Sequence, residues 1–103
     1  RTYSKGKNDG IDIAAAAGSP VKAATDGTVA AITADANQVP IIVVRHDAQL
    51  LTVYANVDQI KVKKGDRVAR GQAIASLRGS SDAYLHFEVR NGFDSVNPQP
   101  YLE

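Results

Sequence analysis

The chain has 103 residues and a mass of 10.9 kDa, which fits one domain spanning residues 1–103. Hydrophobic residues make up 44% and charged residues 22%, a globular balance that excludes a disordered chain. Twelve Lys and Arg against eleven Asp and Glu give a net charge of +1, so bulk electrostatics offer no case for a nucleic-acid binder.

Residues 1–10 are polar and rich in turn formers, and read as a loop leading into the domain. From Ile11 the pattern is short apolar runs broken by Gly, Pro, Asn and Asp, the signature of an all-β, mainly antiparallel fold with little or no helix. The predicted strands are Ile11–Ala14, Val21–Ala24, Thr28–Ala34, Ile41–His46, Leu51–Ala55, Lys61–Val62, Ala73–Leu77 and Leu85–Arg90. Gly18-Ser19-Pro20, Asp26-Gly27, Lys64-Gly65-Asp66 and Asn91-Gly92 are among the turns between them. The Ala14–Ala17 run has helical propensity but stops at Gly18 and Pro20, so it reads as strand end and loop. Ile41–Val44 is continuously β-branched, which predicts a strand covered on both faces. Val96–Leu102 is a proline-stiffened, extended closure. The chain begins at Arg1 without Met and is expected to be the C-terminal part of a longer envelope protein.

Cys is absent, which excludes disulfides, thiolate zinc sites and cysteine nucleophiles. No stretch approaches the ~20 apolar residues of a membrane span. The chemistry concentrates in Tyr84-Leu85-His86-Phe87-Glu88-Val89-Arg90. Alternation with period two puts Leu85, Phe87 and Val89 on the core face, and Tyr84, His86, Glu88 and Arg90 on the other. Asn8 and Asp12, in Asn8-Asp9-Gly10-Ile11-Asp12, form a second polar pair, and Asp12 can reach a groove shared with His86. One Asp and one His are only two zinc ligands, and a catalytic zinc takes three protein ligands plus water. Tyr84, with a phenol pKa of about 10, is a poor ligand at neutral pH.

The chain resembles a LytM domain, the module of the lysostaphin-type zinc endopeptidases that cut peptidoglycan cross-bridges. The resemblance is carried by Asn8–Ala14, Gly18–Val21, Ala24–Val29, Ile42–His46, Thr52–Asn56, Val62–Val68, Gly71-Gln72, Leu85–Arg90 and Val96-Asn97-Pro98, in one order over about nine-tenths of the chain. It implies a β-sheet sandwich with an open groove. Active members of the family begin the first motif with a zinc-binding His, where this chain has Asn8. They carry a catalytic His where this chain has Asn56, and end on His-x-His where this chain has Tyr84 and His86. Of three implied zinc ligands, Asp12 and His86 survive, and both catalytic histidines are gone. Asn is a weak oxygen donor, and neither Asn56 nor Tyr84 cycles a proton near pH 7. Each lost acid–base group is worth about 10²–10⁴ in rate. The expectation is therefore no enzyme, no zinc, and a vestigial groove of Asn8, Asp12, Asn56, Tyr84 and His86 used for binding.

The resemblance extends to the non-catalytic members of the NlpD and EnvC kind. It implies a periplasmic domain that activates an N-acetylmuramoyl-L-alanine amidase during cell division or envelope remodelling, with peptidoglycan as a further partner. Two alternatives are a peptidoglycan-binding anchor and a residual zinc endopeptidase. A biotinyl or lipoyl carrier, suggested by Gly65-Asp66-Arg67-Val68-Ala69-Arg70-Gly71-Gln72, lacks a modifiable Lys between Ala34 and Lys61. Plainer roles stand beside these. His86 can pair with Asp12 or Tyr84 without metal, and His46 reads as structural. Lys61–Arg70 holds five of the twelve basic residues and reads as a solvated hairpin or as a docking patch for an acidic partner or glycan carboxylates.

Overall fold

A computed structural model describes residues 10–47, 50–79, 83–91 and 94–96. All ten elements are strands: β1 Ile11–Ala14, β2 Pro20–Lys22, β3 Gly27–Ala34, β4 Pro40–Arg45, β5 Leu50–Ala55, β6 Val57–Asp58, β7 Arg67–Val68, β8 Ala73–Leu77, β9 Tyr84–Asn91 and β10 Asp94–Val96. Every pairing is antiparallel. A seven-stranded sheet runs β1-β9-β5-β4-β3-β7, with β10 also on β9, and a three-stranded sheet runs β2-β8-β6. No helix among the described residues is long and apolar enough to cross a membrane.

The strand pattern follows from β-branched and aromatic side chains placed at alternate positions. Val29, Ile42, Val44, Tyr54, Phe87 and Val89 turn the inner face of the large sheet into a continuous apolar surface. Val21, Val57, Ile74, Ala75 and Leu77 supply the opposing layer from the small sheet. Residues Ile74–Leu77 are all buried, so β8 lies covered on both faces. Tyr54 and Phe87 pack as a tilted pair with ring centroids 5.4 Å apart, a geometry that adds about 0.5–1.5 kcal/mol to their burial.

Several expectations shift. Lys61–Val62 is not a strand. Lys61 makes one backbone bond, to Ile74 O at 2.9 Å, and the pairing segments fall either side of it, at β6 and β7. The strand expected over Val21–Ala24 ends at Lys22, because the register with β8 shifts between Val21 and Lys22. In β4, Ile42 and Val44 are fully buried while Ile41 and Val43 are only partly covered, so that strand is not enclosed on both faces. Asp94–Val96 adds a tenth strand. Of the tail expected to close the fold, residues 97–102 lie outside the described set.

A polar chain running inward from the surface ties the loops to the core. His46 Nδ1 lies 2.6 Å from the Asp26 carbonyl, which can only accept, so Nδ1 carries a proton. Its Nε2 meets the Thr52 hydroxyl at 2.7 Å. Thr52 bonds the Tyr54 hydroxyl at 2.9 Å, and that oxygen accepts from Ala24 N–H at 2.9 Å. Burial raises the Tyr54 pKa above its ordinary value. No buried side-chain nitrogen or oxygen among the described residues is left without a partner, so the polar atoms of Thr52 and Tyr54 do not carry the desolvation cost of unpaired groups. His46 is thereby held as a structural residue.

Candidate functional site

The site is built on the outer face of the large sheet. β9 is its axis, because it pairs with β1 on one side and β5 on the other. The register sets Asp12 opposite His86, Ala14 opposite Tyr84, and Ala55 on the far side of His86. Residues 74 apart in sequence therefore become direct neighbours. His86 Nδ1 and Asp12 Oδ1 are 2.6 Å apart, and His86 Nε2 and Glu88 Oε2 are 2.8 Å apart. Arg90 donates to Glu88 Oε1 from Nη2 at 2.6 Å and from Nε at 3.0 Å.

Ionised carboxylates accept only, so a ring with one on each nitrogen is held toward its doubly protonated form. The electrostatics agree. The hydrogen bond to Glu88 is the largest cause raising the His86 pKa above its ordinary value; burial opposes it, and Asp12 adds to it. Glu88 is held below its ordinary value, first by the bond from His86 and then, against burial, by Arg90. Asp12, His86, Glu88 and Arg90 thus form a charge-alternating chain along the strand face.

Asn56 sits where β5 passes into β6, with φ at 68°, a left-handed conformation that Asn tolerates better than most residues. Its side-chain Nδ2 donates to the Tyr84 carbonyl at 2.7 Å, and its own carbonyl accepts from Arg78 N–H at 3.1 Å. Its side-chain amide is thus spent on joining the β5 end to the start of β9. Tyr84, at the head of β9, is one of two large apolar side chains classed as exposed among the described residues.

Of the five residues expected to line the groove, four are described, and they come together as two linked pairs: Asp12 with His86, and Asn56 with Tyr84. His86 pairs with Asp12, not with Tyr84. Asn8 lies outside the described residues. The sequence reading placed Glu88 and Arg90 on this face but gave them no role. The i, i+2 spacing from His86 was the signal that could have found them.

The family resemblance implies zinc, and the donor set does not fit it. A catalytic zinc takes three protein ligands plus water, and of the three that the resemblance implies only Asp12 and His86 carry a ligating carboxylate or imidazole, with an amide at position 8. No group of three or more His, Cys, Asp or Glu among the described residues is placed to hold a metal ion. What remains is two of the three implied ligands, a carboxylate and an imidazole bonded to each other. With an amide and a phenol at positions 56 and 84, the arrangement can hydrogen-bond and bind.

The chain is 39% identical over 102 residues to the murein hydrolase activator NlpD of Escherichia coli K12, covering 96% of this chain and 27% of that protein. It is 38% identical over 104 residues to the uncharacterized lipoprotein YgeR of the same organism, covering 94% and 40%. It therefore spans roughly a quarter to two-fifths of these relatives' length. Among solved structures, Helicobacter pylori Csd3 superposes with a TM-score of 0.85 at 31% identity, over 99% of this chain and 30% of that one. The catalytic domain of the antimicrobial peptidase lysostaphin from Staphylococcus simulans gives 0.78 at 28% identity, over 98% and 86%. Residues 6–98 match peptidase family M23, and with its antiparallel sheets and its paired Asp12 and His86 the chain belongs to that family, as a LytM domain.

Proposed function

We propose that this chain is a non-catalytic LytM domain of the bacterial cell envelope. It regulates peptidoglycan hydrolysis by activating a periplasmic N-acetylmuramoyl-L-alanine amidase, which it binds through its vestigial site, and it works without zinc. The observation that carries this reading is the replacement of both proton-transfer positions within an intact frame. Asn56 is committed to the Tyr84 backbone, and Tyr84 presents a phenol. The likeness to a protein named a murein hydrolase activator supports it. Activation then works as a population shift: the domain binds the open amidase more tightly than the closed one, and that difference in affinity sets the gain.

The test mixes the purified chain with amidase and labelled peptidoglycan. The expected result is faster release of label with the chain present, none from the chain alone, and zinc well below one equivalent by mass spectrometry. A second reading, a residual zinc endopeptidase, is favoured by the likeness to the lysostaphin catalytic domain and by the retained Asp12–His86 pair. Chelator-sensitive cleavage by the chain alone would establish that reading and remove the first.

A further inference from the structure

We propose that Arg45 and Arg67, on the outer face of the large sheet, form a docking strip for an acidic, apolar-faced segment of the protein partner. This rests on the reading that the chain acts by binding a hydrolase, and it names the surface and chemistry of that contact.

Arg67 pairs across β7 and β3 with Thr28, Thr28 with Arg45, Arg45 with Leu51, and Leu51 with Arg90. Five strands thus set three arginines in one cross-strand row, on the face that carries Asp12, His86 and Glu88. With strands about 4.8 Å apart, the guanidinium-bearing positions recur about every 10 Å along a row of about 20 Å. Arg90, at the site end, is committed to Glu88. Arg45 and Arg67 are exposed, and no ion pair forms on either among the described residues. Among the described residues Arg67 Nη1 donates to the Thr28 hydroxyl alone, at 3.1 Å, which directs it without neutralising it.

Sequence charge strengthens the field there. Residues 59–79 hold six of the twelve Lys and Arg and a single acid, Asp66, in a chain whose net charge is +1. One Asp66 oxygen is already taken by Lys63 N–H at 3.0 Å. The exposed lysines 63 and 64 sit in the turn that feeds β7. Unneutralised arginines suit carboxylates, which they bind bidentately. Beside the row, Val43, Leu51 and Val53 are partly exposed on the same face. A glycan or a lipid headgroup has no use for an aliphatic strip beside cations; a peptide segment with acids on one side and aliphatic side chains on the other covers both.

The experiment titrates immobilised N-acetylmuramoyl-L-alanine amidase with the full chain at low and high salt. The variants are Arg45→Glu, Arg67→Glu and the double, with Arg45→Lys/Arg67→Lys as the charge-retaining pair. Lys22→Glu on β2 makes the same charge change in the other sheet. Urea midpoints check that each variant folds. The expected result is a loss of affinity of roughly tenfold or more for the double reversal, mainly through slower association, with wild-type affinity falling as salt rises and Lys22→Glu unchanged. Amidase binding indifferent to the double reversal and to salt would overturn the docking strip and leave the proposed function standing. Loss of binding to isolated sacculi with amidase binding intact would assign the row to peptidoglycan carboxylates and also overturn it. A wild-type chain that does not bind amidase would overturn both.

Discussion

His86 shows how one side chain's partners set the stability of the site. Its folded pKa is raised, so its contribution is fully present below its unfolded value of about 6.5 and is lost as pH rises through the folded value. Glu88 has a lowered folded pKa, so its contribution is present above about 4.5 and is lost as pH falls through the folded value. Together they favour the folded state most between pH ~4.5 and ~6.5. Urea midpoints followed across pH should show the wild type exceeding Glu88→Gln by about 1 kcal/mol in that window, with the gap narrowing on both sides. A constant gap would mean that the pair does not titrate as one unit. Asn56 makes a second test at this scale. Asn56→Ala removes the bond to Tyr84 O and leaves a Cβ residue with no compensating contact at φ 68°, so about 2 kcal/mol of unfolding free energy should go. Asn56→Gly should recover the backbone part of that loss and not the rest.

At the scale of elements, β9 decides the site, and Gly10 decides how closely β1 approaches it. A Cβ on Gly10 would lie 2.5 Å from Phe87 O, 2.6 Å from Glu88 Cγ and 3.0 Å from His86 Cε1. Two of the three neighbours belong to the ion chain, so Gly10→Ala must displace the start of β1 or the His86–Glu88 pair. We expect a loss of about 1–3 kcal/mol in urea unfolding, and a larger change in the His86 side-chain resonances than in those of His46, measured by NMR. Equal, small shifts in both rings would show that β1 yields without touching the site. The row of arginines is likewise a property of elements: Arg45 and Arg67 are 22 positions apart in sequence and share a face only because both pair with Thr28.

At the scale of the whole molecule, the fold is a set of long-range pairings. The strand that opens the described chain, β1, completes its site by pairing with β9, and Asp12 and His86 are 74 residues apart. Loop-closure entropy must be met before those contacts form, so the domain should refold in milliseconds to seconds rather than microseconds. With no Trp in the chain, stopped-flow tyrosine fluorescence is the measurement. A microsecond main phase would mean that local hairpins such as β4–β5 carry the rate-limiting step. The same topology explains the core: neither sheet can bury its apolar face alone, and the small sheet closes over the large one through Val57, Ile74 and Leu77.

Period-two alternation, β-branched runs and Gly, Asn and Asp turns determined by themselves that this chain is all-β. They also determined that Phe87 and Val89 face inward while Tyr84 and His86 face out, because these are properties of neighbours along one strand. The residues at 8, 56 and 84 already told that the family's imidazoles are missing. Only the tertiary structure decided where the surviving groups point. The weak segment Lys61–Val62 lost its strand because its partners chose β6 and β7. Glu88 and Arg90 became members of the site, and Arg45 and Arg67 became neighbours, for the same reason: strand register joins residues far apart in sequence, and one strand's sequence does not encode which others will lie beside it.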